Sequence, residues 1–298
     1  MLKKIWILLL FFLLISCQPD RPKQEEFAFI IAADMRNYAG DNVDYFRGAC
    51  EAIRQLDDSI RFVISPGDID PMDSVLYCIR KYIREDMIWY PVVGNHENET
   101  PEDMVWLRNF NSGGKALPFI VNQGPEICRE TTYSFDVGNT HFIILNQYAD
   151  VNCDDCTDGD MPDILYDWLK GDLQMTRQKH ILVIGHEPAY PLPDMENQRF
   201  RHEHDSLNRH PENRDRFVEL LQDHGVTAYI FGHTHNYSVV KINRLWHMDA
   251  GHARGIGDRG ARSTFIKMMV NAGEIRYETY RLNVGTMDYE ITDRGILN

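Results

Sequence analysis

Positive charge is scarce in this chain. Lysine and arginine total 31 against 45 aspartates and glutamates, a formal net charge of −14. Binding a nucleic-acid backbone takes a basic footprint, so nucleic acid is excluded as a general partner. Small phosphates are not excluded, because they respond to the local field of metals and arginines. No Gly-x-Ser-x-Gly elbow occurs, which counts against a serine hydrolase. One Cys-x-x-Cys pair, Cys153 and Cys156, has no second pair to complete a thiolate zinc site. Acidic neighbours raise those thiols, so a local loop disulfide is the expectation rather than a redox motif. Gly255 to Gly260 spells a dinucleotide fingerprint, but Thr264 to Val270 after it reads as a strand. A pyrophosphate would therefore find no helix N-terminus there. No internal repeat is present.

Long apolar runs are absent except at the N-terminus, where Ile5 to Ile15 is too short to span a bilayer comfortably. Lys3 and Lys4 precede it, and Leu14-Ile15-Ser16-Cys17 resembles a bacterial lipobox. That resemblance implies a signal peptide over 1–16, with Cys17 lipidated as the first mature residue. Gln18 to Glu26 is polar and proline-bearing and reads as a tether over 17–26. One domain is expected over 27–298. The product would be exported and lipid-anchored to a bacterial membrane, on its periplasmic or cell-surface side. Export permits disulfides. With Cys17 lipidated, five cysteines remain, so at least one thiol is free or bonded outside the chain.

Five apolar runs read as buried strands: Phe27 to Ala33, Phe62 to Ser65, Ile88 to Val93, Ile181 to Ile184 and Thr227 to Phe231. Each ends in residues that bind metals: Asp34, Gly67-Asp68, Gly94-Asn95-His96-Glu97, Gly185-His186-Glu187 and Gly232-His233-Thr234-His235. Strand ends converge on one rim of a sheet, where α/β folds place their chemistry. Asp, Asn and His supply mixed oxygen and nitrogen donors suited to Mn, Fe or Zn. Helical periods over Asp41 to Asp57 and Ser74 to Arg84 alternate with the first strands, and Thr100-Pro101-Glu102-Asp103 carries a helix start signal. Further helices are expected at Pro162 to Met175 and Pro211 to Asp223. Strands are expected at Thr132 to Phe135, His141 to Leu145, Ser238 to Ile242, Leu245 to Met248, Thr264 to Val270 and Ile275 to Leu282. This order predicts a four-layer α/β/β/α sandwich of two mixed sheets.

The five segments, in order over residues 34–235, resemble the calcineurin-like metallophosphoesterase superfamily. Its signature runs Asp-x-His, Gly-Asp, Gly-Asn-His-(Asp/Glu), Gly-His and Gly-His-x-His. The resemblance implies two divalent or mixed-valence transition metals (Mn, Fe or Zn) bridged by Asp68. Asp34 and His235 would hold one, and Asn95, His186 and His233 the other. It implies hydrolysis of a small phosphomonoester or phosphodiester by a metal-bound hydroxide. His96 would protonate the leaving oxygen or stabilise the transition state. Glu97 and Asp70 would orient imidazoles.

This chain departs from the signature at Arg36, which stands where the family has a metal-binding His. Arg stays protonated and cannot serve as that ligand. Purple acid phosphatases lack the same His but supply a Tyr three residues after the Gly-Asp aspartate, and Pro71 stands at that position here. The first metal would be one ligand short, unless His252 is recruited. Alternatively Arg36 reaches the phosphate with its planar fork. A hydrolase with a modified first site is the leading reading. The alternatives are a non-catalytic binding protein that retains the fold and a single-metal hydrolase. Arg201 and His202, in the basic loop from Pro191 to Pro211, and His252 and Arg254 are the expected substrate contacts. The loop from Asp150 to Asp163 reads as a solvated acidic turn, with no glycine placed for a calcium loop.

Overall fold

The computed structural model of the chain describes residues 26–36, 41–56, 59–149 and 159–298. The lipobox, the tether up to residue 25, Cys153, Cys156 and the acidic loop through Asp158 lie outside those residues. Among the described residues Cys50, Cys78 and Cys128 are free and buried. No described helix is long and apolar enough to cross a membrane.

Strands β1 (Phe27–Ile31), β2 (Ile60–Ser65) and β3 (Ile88–Pro91) are near-continuous apolar runs because both of their faces are covered. They pair in parallel, and Pro91 is tolerated because β3 is an edge. Strands β11 (Thr264–Val270), β12 (Ile275–Asn283) and β13 (Asp288–Leu297) extend this sheet antiparallel beyond β1. The order is β13-β12-β11-β1-β2-β3. The second sheet contains β4 (Ile120–Gln123), β5 (Tyr133–Val137), β6 (Thr140–Ile144), β7 (His180–Ile184), β8 (Ala228–Phe231), β9 (Tyr237–Ile242) and β10 (Leu245–Ala250). Its order is β4-β5-β6-β7-β8-β10-β9, parallel from β6 to β10 and antiparallel at both edges.

Aromatic rings fill the space between the sheets. Phe29 stacks on Phe62 at 5.1 Å, Phe135 on Phe142 at 4.8 Å, and Phe62 meets Phe142 edge-on at 5.4 Å. Each fully buried Phe contributes roughly 1.5–3 kcal/mol. Helices α1 (Phe46–Arg54) and α2 (Met72–Cys78) cover the outer face of the first sheet. A single-turn helix, α3 (Asn95–Asn98), leads into α4 (Pro101–Phe110), which joins that cover. Helices α5 (Asp163–Met175) and α6 (Pro211–Asp223) cover the second sheet. The expected four layers result.

Differences from the sequence expectation are local. Strands β4 and β13 were not expected, being edge strands with mostly exposed or half-exposed residues and no apolar run. Helix α1 begins at Phe46 rather than Asp41, and α2 continues into a π-helical turn over Ile79–Ile83.

Two buried polar clusters matter for stability. Arg281 on β12 grips the Asp194 carboxylate with both terminal nitrogens, at 3.2 and 2.7 Å. Asp194 also accepts the backbone N–H groups of Tyr237, Glu196 and Asn197. The loop from Pro191 is thereby fastened to both sheets. Near the N-terminal end of β6, His141 lies between Asp136 (2.6 Å) and Asp172 (2.8 Å). Burial alone would push this imidazole down, but the two carboxylates prevail and raise it from 6.5 to about 9. The protonated form is favoured by folding, so the stabilisation is complete below the unfolded value near 6.5. It disappears as pH rises through about 9, and amounts to roughly 3 kcal/mol. Urea unfolding midpoints are expected to fall between neutral and strongly alkaline pH, and to fall less in a His141→Asn variant.

Candidate functional site

The strand ends bring the five segments to one rim. Asp34 follows β1, Asp68 follows β2, and Asn95 and His96 open α3 after β3. His186 follows β7, and His233 and His235 follow β8. The turns are tight enough that Asp34 (φ 52°), Asp68 (φ 54°), His233 (φ 69°) and His235 (φ 60°) all adopt left-handed backbone. Such conformations carry a cost for residues with a Cβ and gather at functional sites. The glycines before the ligands have a steric origin. A Cβ on Gly94 would lie 2.4 Å from Asp68 Oδ1 and 2.5 Å from Asp68 N, and Gly67 at φ +83° packs against the His186 ring. No larger residue fits between these side chains.

His186 Nδ1 lies 2.7 Å from the Pro66 carbonyl oxygen, which only accepts, so this nitrogen donates and Nε2 presents a lone pair. That lone pair faces Asn95 Oδ1 at 3.3 Å and Asp68 Oδ1 at 3.4 Å. The Asn95 amide is oriented by its Nδ2, which donates to Glu99 Oε1. His233 Nδ1 completes the group, 3.2 Å from Asn95 Oδ1 and 3.3 Å from His186 Nε2. A second group repeats the arrangement. His235 Nδ1 donates to Asp258 Oδ2 at 2.7 Å, so its Nε2 lone pair faces Asp34 Oδ1 at 3.6 Å. Donor atoms of Asp34, Asp68 and His235 all lie within 4.8 Å of one another.

Lone pairs aimed at lone pairs repel unless a cation lies between them, so the residues present fit a bound metal. Burial holds His186, His233 and His235 below the ordinary histidine value, in the neutral form that ligates. Burial, with Asp68 next in importance, pushes the Asp34 carboxyl well up. A neighbouring cation would reverse that push.

The other expected residues divide. His96 directs Nε2 at Asp68 Oδ2, 3.6 Å away, and its Nδ1 is held by Glu99 at 2.9 Å. Arg36 lies at the rim with Nε donating to Asp70 at 3.1 Å, so Asp70 orients the guanidinium rather than an imidazole. Glu97 orients no imidazole either. Its carboxylate accepts the backbone N–H groups of Asp68, Ile69 and Gly94 at 2.9, 2.7 and 2.7 Å. It welds the β2 turn to the start of α3. His252 is fully buried, with Nε2 at the Ala261 carbonyl and Nδ1 at the Arg254 amide. Both nitrogens are engaged, so it offers no lone pair to a metal and no donor to a substrate. Arg254 is also buried and donates to the Asp34 carbonyl, which fixes backbone. Arg201 stays partly exposed beside the Thr234 carbonyl, and the His202 ring lies against that of His233.

Sequence reasoning missed Asp258 and Glu99, which hold His235 and His96. Glu99 is three residues from His96 on a helical turn, a spacing that was readable. Asp258 is brought in by tertiary folding and leaves no local signal.

With this geometry in place, comparison with known proteins decides the family. The model of the calcineurin-like phosphoesterases matches residues 27–237. The chain belongs to the calcineurin-like phosphoesterase family. Membership implies divalent metal ions and points to hydrolysis of phosphoric esters. Purple acid phosphatase 18 of Arabidopsis thaliana is 31% identical over 157 residues. That stretch is 51% of this chain and 31% of the relative, so the chain spans about a third of its length. Among solved structures, GAP50, described as the anchor in the inner membrane complex of Plasmodium, superposes with a TM-score of 0.59 at 16% identity. The match covers 92% of this chain and 89% of that one. A structure of PhoD matches with a TM-score of 0.55 at 10% identity, covering 90% of this chain and 72% of the other. At such identities these two likenesses speak for the phosphoesterase fold alone.

Proposed function

We propose that this calcineurin-like phosphoesterase hydrolyses small phosphomonoesters or phosphodiesters at a two-metal centre. The observation that carries the reading is the confrontation of lone pairs from Asp68, Asn95, His186 and His235 with their neighbours, which a pair of cations would relieve. Asp34, Asp68 and His235 would hold one ion, and Asp68, Asn95, His186 and His233 the other, drawn from Mn, Fe or Zn. When bound, such ions supply Lewis-acid activation of water and neutralise charge on the phosphoryl group.

The remaining chemistry falls to the chain. His96 is held by Glu99 with its Nε2 toward the centre, placed to give a proton to the leaving oxygen. Arg36, aligned by Asp70, would present its terminal nitrogens to a pair of phosphate oxygens and bring the positive charge that the missing His cannot. Arg201 adds positive potential from the loop above the rim. We further propose that Cys17 carries a lipid anchor on the exported protein. Loss of labelled palmitate in a Cys17→Ala variant tests this.

Purified protein loaded with Mn, Fe or Zn should turn over p-nitrophenyl phosphate or its bis ester and contain at least two ions per chain. Arg36→His should lower that turnover, since it removes a phosphate contact. A gain in turnover would instead identify Arg36 as a defect of the first site. No turnover with any metal, and one ion or none, would support a binding protein that retains the fold.

A further inference from the structure

His233 has two sides, and only one is used above. Nδ1 turns to Asn95 and His186, while Nε2 lies 3.5 Å from Glu187 Oε2. Glu187 is 1% exposed, and its Oε2 forms no well-aligned hydrogen bond among the described residues, although the Ser206 hydroxyl lies close. The other oxygen, Oε1, accepts the Tyr148 hydroxyl, which fixes the carboxylate in this direction. A buried carboxylate oxygen without a well-aligned donor is costly and calls for an ion or a proton.

Two more donors arrive from the loop between β7 and α6. The His202 ring packs on His233 with centroids 4.0 Å apart. One donor atom from each of His202, Asp205 and His233 lies within 4.8 Å of the others. His202 Nδ1 is bonded to Asp205 Oδ2 at 2.8 Å, and Asp205 Oδ1 is shielded and, among the described residues, without a partner. Left-handed backbone at His202 (φ 59°) and Ser206 (φ 56°) turns this stretch inward. A purely orienting role would have a carboxylate accept the His233 Nε2 proton, and 3.5 Å is too long for that bond.

We infer that His202, Asp205 and His233, with the Glu187 carboxylate close to His233 Nε2, form an additional divalent-cation site beside the pair described above. The donors placed together are two imidazoles and one carboxylate, with Glu187 near them, a set suited to Zn, Mn or Fe. His233 would serve both positions, one ring nitrogen toward each, and would give up its ring proton to solvent. The ion would pin the basic loop against the end of β7. The inference rests on the proposed two-metal reading only in sharing His233.

Zinc titration of the full chain, followed by metal analysis after dialysis, tests it. Wild type is expected to hold three equivalents. His202→Ala and Asp205→Asn, each checked for native circular dichroism, are expected to hold one fewer. His186→Ala should lose a different equivalent and keep the one that depends on His202. Glu187→Gln, which preserves shape and the contact with Tyr148, should weaken the third equivalent at least about tenfold. Equal stoichiometry in wild type, His202→Ala and Asp205→Asn would overturn the inference. The two readings separate: a chain whose zinc depends on His202 but not His186 keeps this site and loses the pair. The reverse dependence keeps the pair alone.

Discussion

Asp68→Asn should lose phosphoesterase turnover by more than about 100-fold, the upper end for removing an outer partner of a metal ligand. Oδ1 faces His186 Nε2 at 3.4 Å, and Oδ2 faces His96 Nε2 at 3.6 Å. An amide leaves one of these places to an NH2 group and removes the charge that two cations would share. The fold should survive. Asn tolerates the left-handed backbone found here, and the change relieves repulsion between Asp68 and the buried Asp34. The metal-free variant should therefore melt at or above the metal-free wild type. Turnover of p-nitrophenyl phosphate, metal content and thermal unfolding of the stripped protein are the three measurements. Retained turnover with one metal lost would favour a single-metal hydrolase.

Asp194→Ala should cost about 3–5 kcal/mol, the range for a buried ion pair broken on one side. Arg281 is 2% exposed and would be left with one part-exposed partner, Glu196, at 3.1 Å. Three backbone N–H groups would lose their acceptor as well. Urea unfolding followed by circular dichroism checks the value, and an unchanged midpoint would refute it. The double replacement of Asp194 and Arg281 by apolar residues of similar size should recover much of the loss, because no unpaired charge stays buried.

The layered fold and the convergence of the five segments on one rim were legible because each signal is short. An apolar run and a donor residue lie within about nine positions, in four of the five segments with a glycine before the donor, and that glycine is demanded by the crowding now seen at Gly94. What escaped is what the chain assembles across distance. Asp258 reaches His235 from 23 residues away, and His202 meets His233 from a loop that the Asp194–Arg281 pair fastens at its start. Glu97 was misread although its spacing was informative. It stands third in α3 and reaches back to the Gly94 amide, a capping-box position. His252 was misread because an imidazole near a site says nothing of whether its nitrogens are spoken for.

The rings between the sheets have a bearing far from their own position. Asp34, Asp68 and Asn95 ride on one sheet, and His186, His233 and His235 on the other. The gap that separates these two half-cages is therefore gauged by the thickness of Phe29, Phe62, Phe135 and Phe142 wedged beneath them. Trimming or swelling that wedge would narrow or spread the jaws above it, so the spacing of the donor atoms is answerable to apolar residues that never touch them.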